Sequence, residues 1–477
     1  MSEPSLKKQT IKGIGWSAVE RFSLQIIQFV IQIVMARKLL PSDYGIIGML
    51  TIFLQLAQVF IDSGFANALV QKQNSNERDY STVFFYNLAV SILFYICCFA
   101  SAPSVARFYD IPLIVQVMRV QTLTFLINAW AIIPKTILIK SVDFKTQSKV
   151  SLSSAVISGS VGIYLAYTGA GVWALCFQAL MNSLLQAVLL YVYTKWRPIL
   201  VFDMDSFRQL FKFGSKILAA SIITVIYNNL YSIVIGKRYN SNELGLYSRA
   251  DHFAMFPSNN IGTVISRVAF PVLSKVQDDD SKLLSIYSNL IRFSSFLIFP
   301  LMTGLIALSE PVTLALLGDN WSALIPILKI VSVGWMFDHL SLLNLNLLYV
   351  KGRSDLVLKL EVIKKTIAVC ILFATLRYGL MVICWGKVIY TFIAVSLNTY
   401  YTKQLLDYGL LKQLKDYISY LLASIFMAVA VHYLIGFLDT EMMKLIIGLA
   451  AGAIIYIIIT LLFFKDIYKE AMKLIRK

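Results

Sequence analysis

At fourteen places the chain carries a largely apolar segment of about 20 residues, the length a helix needs to cross ~30 Å of hydrocarbon; the eighth is the weakest, interrupted by Arg249, Asp251, His252, Asn259 and Asn260. The runs fall near 14–36, 44–66, 80–102, 114–134, 150–168, 172–194, 213–236, 246–268, 288–309, 323–349, 360–379, 382–402, 417–438 and 442–464. Of all side chains 58% are hydrophobic and only 14% charged, whereas a soluble domain is ~45–50% apolar. In hydrocarbon the backbone must satisfy its own hydrogen bonds, so the runs are helices or strands of a closed barrel. Barrel strands would be ~9–11 residues with strict alternation; the continuous runs at 288–309 and 442–464 exclude them. The expected fold is all-α and polytopic, with about fourteen transmembrane helices.

The formal charge of +17 would suggest a nucleic-acid partner in a soluble protein. Here its distribution matters more. With both termini on one side, most of the 43 Lys and Arg fall on that side, among them Lys140, Lys145, Lys149, Lys195, Arg197, Lys351 and Arg353. By the positive-inside rule that side is cytoplasmic. No nucleic acid is expected as a partner; membrane lipids are. Lys7, Lys8 and Lys12 precede a first run without a cleavage pattern, which reads as a retained span. Cys97, Cys98, Cys176, Cys370 and Cys384 lie in apolar runs, with neither disulfide nor metal-ligand spacing.

An internal match at an offset of 200 residues organises the chain: IVMARKLLPSDYG, 33–45, against IVIGKRYNSNELG, 233–245. Each copy ends one helix, crosses a basic turn and starts another. Arg37/Lys237, Lys38/Arg238, Asp43/Glu243 and Gly45/Gly245 keep chemistry as well as spacing. A weaker echo pairs Pro103 with Pro311. The expected organisation is two pseudo-symmetric six-helix bundles, 1–200 and 201–405, followed by two more helices and a cytoplasmic tail in 406–477. Parallel repeats of this kind are related by an axis along the membrane normal and enclose a central cleft. The joining loop, KWRPILVFDMDSFRQLFKFG, is basic and amphipathic and is expected at the cytoplasmic interface.

Polar groups at membrane depth are expensive and mark a pathway or an interior. On the first helix Arg21, Gln25, Gln28 and Gln32 fall within ~60° of one face; Gln55, Gln58 and Asp62 repeat the device on the second. The corresponding face of the second half holds Ser221, Val225, Asn228 and Ser232, with Asn228 matching Gln28 in the repeat. The eighth span carries Arg249, His252, Asn259, Asn260 and Arg267 in one sector. Arginine forks bind phosphate oxygens and stay charged in a low dielectric; amides suit sugar hydroxyls. The candidate substrate-binding set is therefore Arg21, Gln25, Gln28, Gln32, Gln55, Gln58, Asp62, Asn228, Arg249, His252, Asn259 and Arg267. Structural bonding between helices is the alternative for the stripes, a helix cap for Asp62, and opposite membrane interfaces for Arg249 and Arg267. Asp338 and His339 are candidates for ion coupling, but adjacent helical residues point ~100° apart.

The sequence contains no HExxH, GxSxG or GxxxxGK pattern and no Cys/His cluster. No catalytic residue, metal or cofactor is expected. The stretches GWSAVERF, QIVMARKLLPSDYG, VFIDSGFANALVQK, FGSK, LGLYSRA and RVAFPVLSKVQDD together resemble the polysaccharide transporter family, within the multidrug/oligosaccharidyl-lipid/polysaccharide exporter superfamily. Within it the chain is most similar to the colanic-acid exporter type. The resemblance implies a flippase that moves an undecaprenyl-diphosphate-linked oligosaccharide from the cytoplasmic to the periplasmic leaflet of the bacterial inner membrane by alternating access. Arg21 and Arg249 stand within the resembling motifs. It leaves a coupling ion unidentified and admits a polysaccharide polymerase as partner. An ion-coupled drug exporter of the same fold, or a membrane-embedded polymerase or glycosyltransferase, are the competing readings.

Overall fold

The computed structural model describes residues 6–62, 64–72 and 74–464; the C-terminal tail, and most side chains of the FGSK stretch, lie outside the described residues. The chain is helical throughout. In order run α1 (Leu6–Ala36), α2 (Pro41–Asp62), α3 (Phe65–Gln71), α4 (Glu77–Tyr109), α5 (Leu113–Gln121), α6 (Leu123–Lys140), α7 (Phe144–Tyr167), α8 (Val172–Thr194) and α9 (Met204–Arg238). They are followed by α10 (Ser241–Ser274), α11 (Asp280–Ala307), α12 (Ser309–Leu316), α13 (Leu324–Val350), α14 (Ser354–Thr375), α15 (Leu380–Leu406), α16 (Leu410–Ile435) and α17 (Glu441–Phe463).

Ten stretches among the described residues are long and apolar enough to cross a membrane. The remaining four expected spans correspond to α1, α9, α10 and α14. These helices are long, and α10 and α14 carry several charged residues along their length. At ~1.5 Å per residue, the 31, 35 and 34 residues of α1, α9 and α10 reach well beyond ~30 Å of hydrocarbon. One sequence echo dissolves: Pro103 sits inside α4, whereas Pro311 opens α12, so the two prolines are not equivalent.

Packing divides the chain into Met1–Gly245 and Leu246–Lys477. In the first unit α7 presents a buried small-residue stripe, Ser148, Ser154, Ala155, Ser158, Gly159, Gly162 and Ala166. Such stripes let helices approach closely where no hydrophobic force drives association in lipid. A Cβ on Gly159 would lie 2.1 Å from Ile31 Cδ1 on α1, and one on Gly162 3.0 Å from Gln178 on α8. Although α9 lies beyond residue 200, it packs against α2, α3 and α4.

The two copies of the repeat touch inside this first unit. A Cβ built on Gly45 would lie 1.7 Å from the Ser241 carbonyl oxygen, and one on Gly245 would lie 1.7 Å from the Pro41 carbonyl oxygen. The first turns of α2 and α10 thus cross backbone on backbone, reciprocally, at the two matched glycines.

In the second unit α11 packs on α16 and α13 on α15. The helices beyond residue 406 are tied in by a buried amide pair. Asn344 on α13 donates to Gln413 Oε1 of α16 at 3.1 Å, and Gln413 donates back to Asn344 Oδ1 at 2.9 Å. The Thr402 hydroxyl of α15 completes the oxygen at 2.6 Å. Every partner being buried, the network fixes one register among three helices.

Candidate functional site

Within the first unit, helices α2, α3, α6, α8 and α9 leave a cavity of about 660 Å³ between them, within the usual range for ligand sites. Gln58 and Asp62 enter it from α2, one turn apart on the same face. Asn128 and Lys135 come from α6, and Asn182, Ser183 and Gln186 from α8. Asn67 of α3 and Ser221 of α9 complete the polar lining. Asn128 donates to Gln58 Oε1 at 3.2 Å, which leaves the Gln58 amide hydrogens directed toward the Asp62 carboxylate.

Local sequence explains this lining. The backbone turns at Gly64, whose φ of +70° is a left-handed conformation that glycine adopts without steric penalty, so α2 ends at Asp62 and α3 starts anew. No side chain caps α3; the aspartate lines the cavity instead. Pro134 lies inside α6 immediately before Lys135 and withdraws one backbone donor from the helix. Lys135 is exposed to the cavity and attracts Asp62 electrostatically.

The structure thus brings Gln58 and Asp62 into one site, and α9 into contact with α2. Gln55 accepts from Asn229 Nδ2 at 2.7 Å. Asn229 is buried and Asn228 exposed, so the residue next to the one singled out by the repeat meets the second helix. On α1, Arg21 and Gln28 are exposed, and Gln25 and Gln32 partly buried; none of the four lines this cavity. Glu20 is buried and accepts from the Ser148 hydroxyl at 3.4 Å.

In the second unit α10 carries Arg249, partly buried, and His252, Asn259 and Arg267, all exposed. Asn259 accepts from Thr263 at 3.4 Å. Because α10 runs unbroken from Ser241 to Ser274, Arg249 and Arg267 stand about 27 Å apart along its axis and do not clamp one phosphate together. A different pair meets within this unit. Asp251 of α10 accepts from Lys387 of α15 and from Trp335 Nε1 of α13, the latter at 2.7 Å. The ammonium also lies 5.5 Å and 5.2 Å from the Tyr247 and Trp335 ring centres. Asp338 feels both Lys387 and Lys364. His339 instead faces α11, 3.2 Å from the Ser295 hydroxyl, so the two neighbours form no relay.

Sequence reading missed Lys135, Asn128, Asn182 and Gln186 in the first unit and the Asp251–Lys387 pair in the second. Asn128, Asn182 and Gln186 were visible as isolated amides in apolar runs. Lys387 was visible as a lone charge in an otherwise apolar one.

Several known proteins are similar over most of the chain. Teichuronic acid biosynthesis protein TuaB of Bacillus subtilis is 29% identical over 99% of both chains. Lipopolysaccharide biosynthesis protein WzxC of Escherichia coli is 25% identical over 76% of this chain and 74% of its own. Among solved structures, lipid II flippase MurJ in an inward closed conformation superposes with a TM-score of 0.75 at 18% identity, covering 95% of this chain and 100% of that one. An inward-facing multidrug resistance MATE transporter gives 0.62 at 14% identity, over 82% and 98%. The family described as "Polysaccharide biosynthesis protein" matches residues 34–326, more than half of the sequence, and the chain belongs to that family.

Proposed function

We propose that this protein is a flippase that carries an undecaprenyl-diphosphate-linked oligosaccharide from the cytoplasmic to the periplasmic leaflet of the bacterial inner membrane by alternating access. The observation that carries the reading is the cavity of about 660 Å³ whose lining mixes apolar side chains with amides, hydroxyls, one lysine and one carboxylate. Amides donate and accept at once and so match sugar hydroxyls in many orientations. Burying a sugar without such partners would cost several kcal/mol for each lost hydrogen bond. The polyprenyl tail has no such need and stays in lipid. Only the head group has to be sheltered, and no covalent step is involved.

The names of its relatives, a teichuronic acid biosynthesis protein, a lipopolysaccharide biosynthesis protein and a lipid II flippase, favour a lipid-linked glycan over a drug. On this reading α1, α9, α10 and α14 join the ten apolar spans to make fourteen. Two six-helix bundles, 1–200 and 201–405, are then followed by the pair in 406–477, with both termini cytoplasmic. The motifs around Arg21 and Arg249 favour an exporter of the colanic-acid type. Those arginines contact the diphosphate, while Gln58, Asp62, Asn128 and Gln186 contact sugar. An unidentified ion supplies coupling, and a polysaccharide polymerase consumes the product.

The test is reconstitution. Protein in liposomes is expected to move a labelled undecaprenyl-diphosphate oligosaccharide between leaflets without releasing phosphate. A folded R21A/R249A variant is expected to lose most of that transport. Transport at the rate of protein-free liposomes would remove the reading, and an unimpaired double variant would remove the diphosphate contact.

A further inference from the structure

We infer that the segment joining α8 to α9 is a docking ledge for anionic phospholipid headgroups. Between Thr194 and Met204 the chain is irregular, yet it is fastened to the first turns of α4. Trp196 Nε1 donates to Glu77 Oε2 at 2.9 Å, the Ile199 amide to Ser81 Oγ at 3.0 Å, and the Asp203 amide to Thr82 Oγ1 at 2.9 Å. The Trp196 ring is buried against Phe84 and Tyr191. Asp203 in turn caps α9, accepting from the Ser206 hydroxyl at 2.8 Å and from the Asp205 amide at 3.1 Å. The Ile199 and Asp203 amides are thereby occupied inward.

What faces outward is apolar. The Val201 amide bonds back to the Ile199 carbonyl at 2.7 Å, an i to i+2 turn that projects Leu200 from its apex, 92% exposed. Ile199, Val201, Phe202 and Met204 are exposed beside it. A soluble protein rarely displays such a patch unless something covers it. Around the patch stand the exposed cations Arg78, Lys195, Arg197 and Arg208. The nearby acids Glu77 and Asp203 are already engaged, and Asp205 is exposed.

Height decides the occupant. The fastening points lie at the end of α4, itself long and apolar enough to span, so the ledge sits at the membrane boundary rather than beyond it. An apolar tip flanked by basic side chains at that level fits a leaflet surface carrying negative headgroups. A water-exposed protein partner would instead need the tip clear of lipid. On the sidedness proposed above the leaflet is the cytoplasmic one, but the recognition chemistry does not depend on it.

The test uses full-length protein with Cys97 and Cys370 replaced by alanine, so that L200C is the labelling site for an environment-sensitive fluorophore. It is placed in nanodiscs of equal phosphatidylglycerol and phosphatidylcholine, with a nitroxide on the acyl chain of one or the other. Attraction of ~1 kcal/mol per basic residue near the surface corresponds to about fivefold local enrichment for each effective cation. Quenching by labelled phosphatidylglycerol is therefore expected to report at least a threefold excess over phosphatidylcholine. R78Q/K195Q/R197Q/R208Q should return the ratio to one without changing thermal stability. Salt at 1 M should lower the excess while leaving the tip quenched. Equal quenching by both lipids in the parent protein would overturn headgroup recognition. Absence of quenching by either would place the ledge outside the bilayer and overturn the inference altogether.

Discussion

The reciprocal crossing of Gly45 and Gly245 gives a sharp quantitative expectation. A methyl on Gly45 meets the Ser241 carbonyl oxygen at 1.7 Å, against a practical floor of 3.0 Å, so α2 and α10 must part by 3.0 − 1.7 = 1.3 Å at this point. The clash is with backbone, which no rotamer change relieves. Overpacking of a tight contact costs about 1–3 kcal/mol, and the parting also loosens two Cα–H···O contacts of ~0.5–1 kcal/mol each. Together, G45A should destabilise the protein by about 2–5 kcal/mol, and G245A should match it. Once one methyl has separated the helices, the second is already accommodated, so the double variant should cost less than the sum by ~0.5–3 kcal/mol. G48A is the control, because its nearest neighbour is the movable Leu244 side chain at 3.3 Å. Thermal unfolding of the four proteins in one detergent reads all of this. If G45A melted with G48A, or if the two glycine variants were strictly additive, the reciprocal backbone contact would be refuted.

Other expectations follow from the buried polar groups. K387M leaves the part-buried Asp251 carboxylate without its ammonium partner and should destabilise by about 1–3 kcal/mol; K387M/D251N should recover most of the loss, as measured by unfolding temperature. Replacing Gln413 by leucine removes both of its bonds to Asn344, which keeps Leu340 and Thr402 as partners, at a cost of about 0.5–1.5 kcal/mol, and hydrogen exchange should quicken first along α16. N128A frees the Gln58 oxygen within the cavity; transport of the lipid-linked glycan should weaken several-fold at unchanged melting temperature. The Asp203 carboxyl is held below the usual carboxylate range by the Ser206 hydroxyl and then the Asp205 amide. Its capping of α9 is therefore complete above ~pH 4 and is lost only as pH falls through the lowered value. Emission from a probe on Leu200→Cys should stay flat from pH 8 to pH 5.

Much of the architecture is legible in the amino-acid order because lipid enforces it locally. A run of 20 apolar residues has to be helical wherever it lies, and lone polar residues stand out against it. That is why the Gln58–Asp62 face of α2 could be read before any helix was packed. The match of residues 33–45 with 233–245 was equally visible, including the glycines, but not that these glycines touch. Periodicity tells which way a side chain points and says nothing about what it meets. Asn128 reaches across 70 residues to Gln58, Asn229 across 174 to Gln55 and Lys387 across 136 to Asp251. Each of those partners was selected by how close two helices could come. Sequence alone therefore determined the helices and their polar faces, through the cost of unsatisfied backbone in hydrocarbon. Only the tertiary structure decided which faces share a cavity, because that depends on small residues, such as those along α7, whose effect is felt only when another helix packs against them.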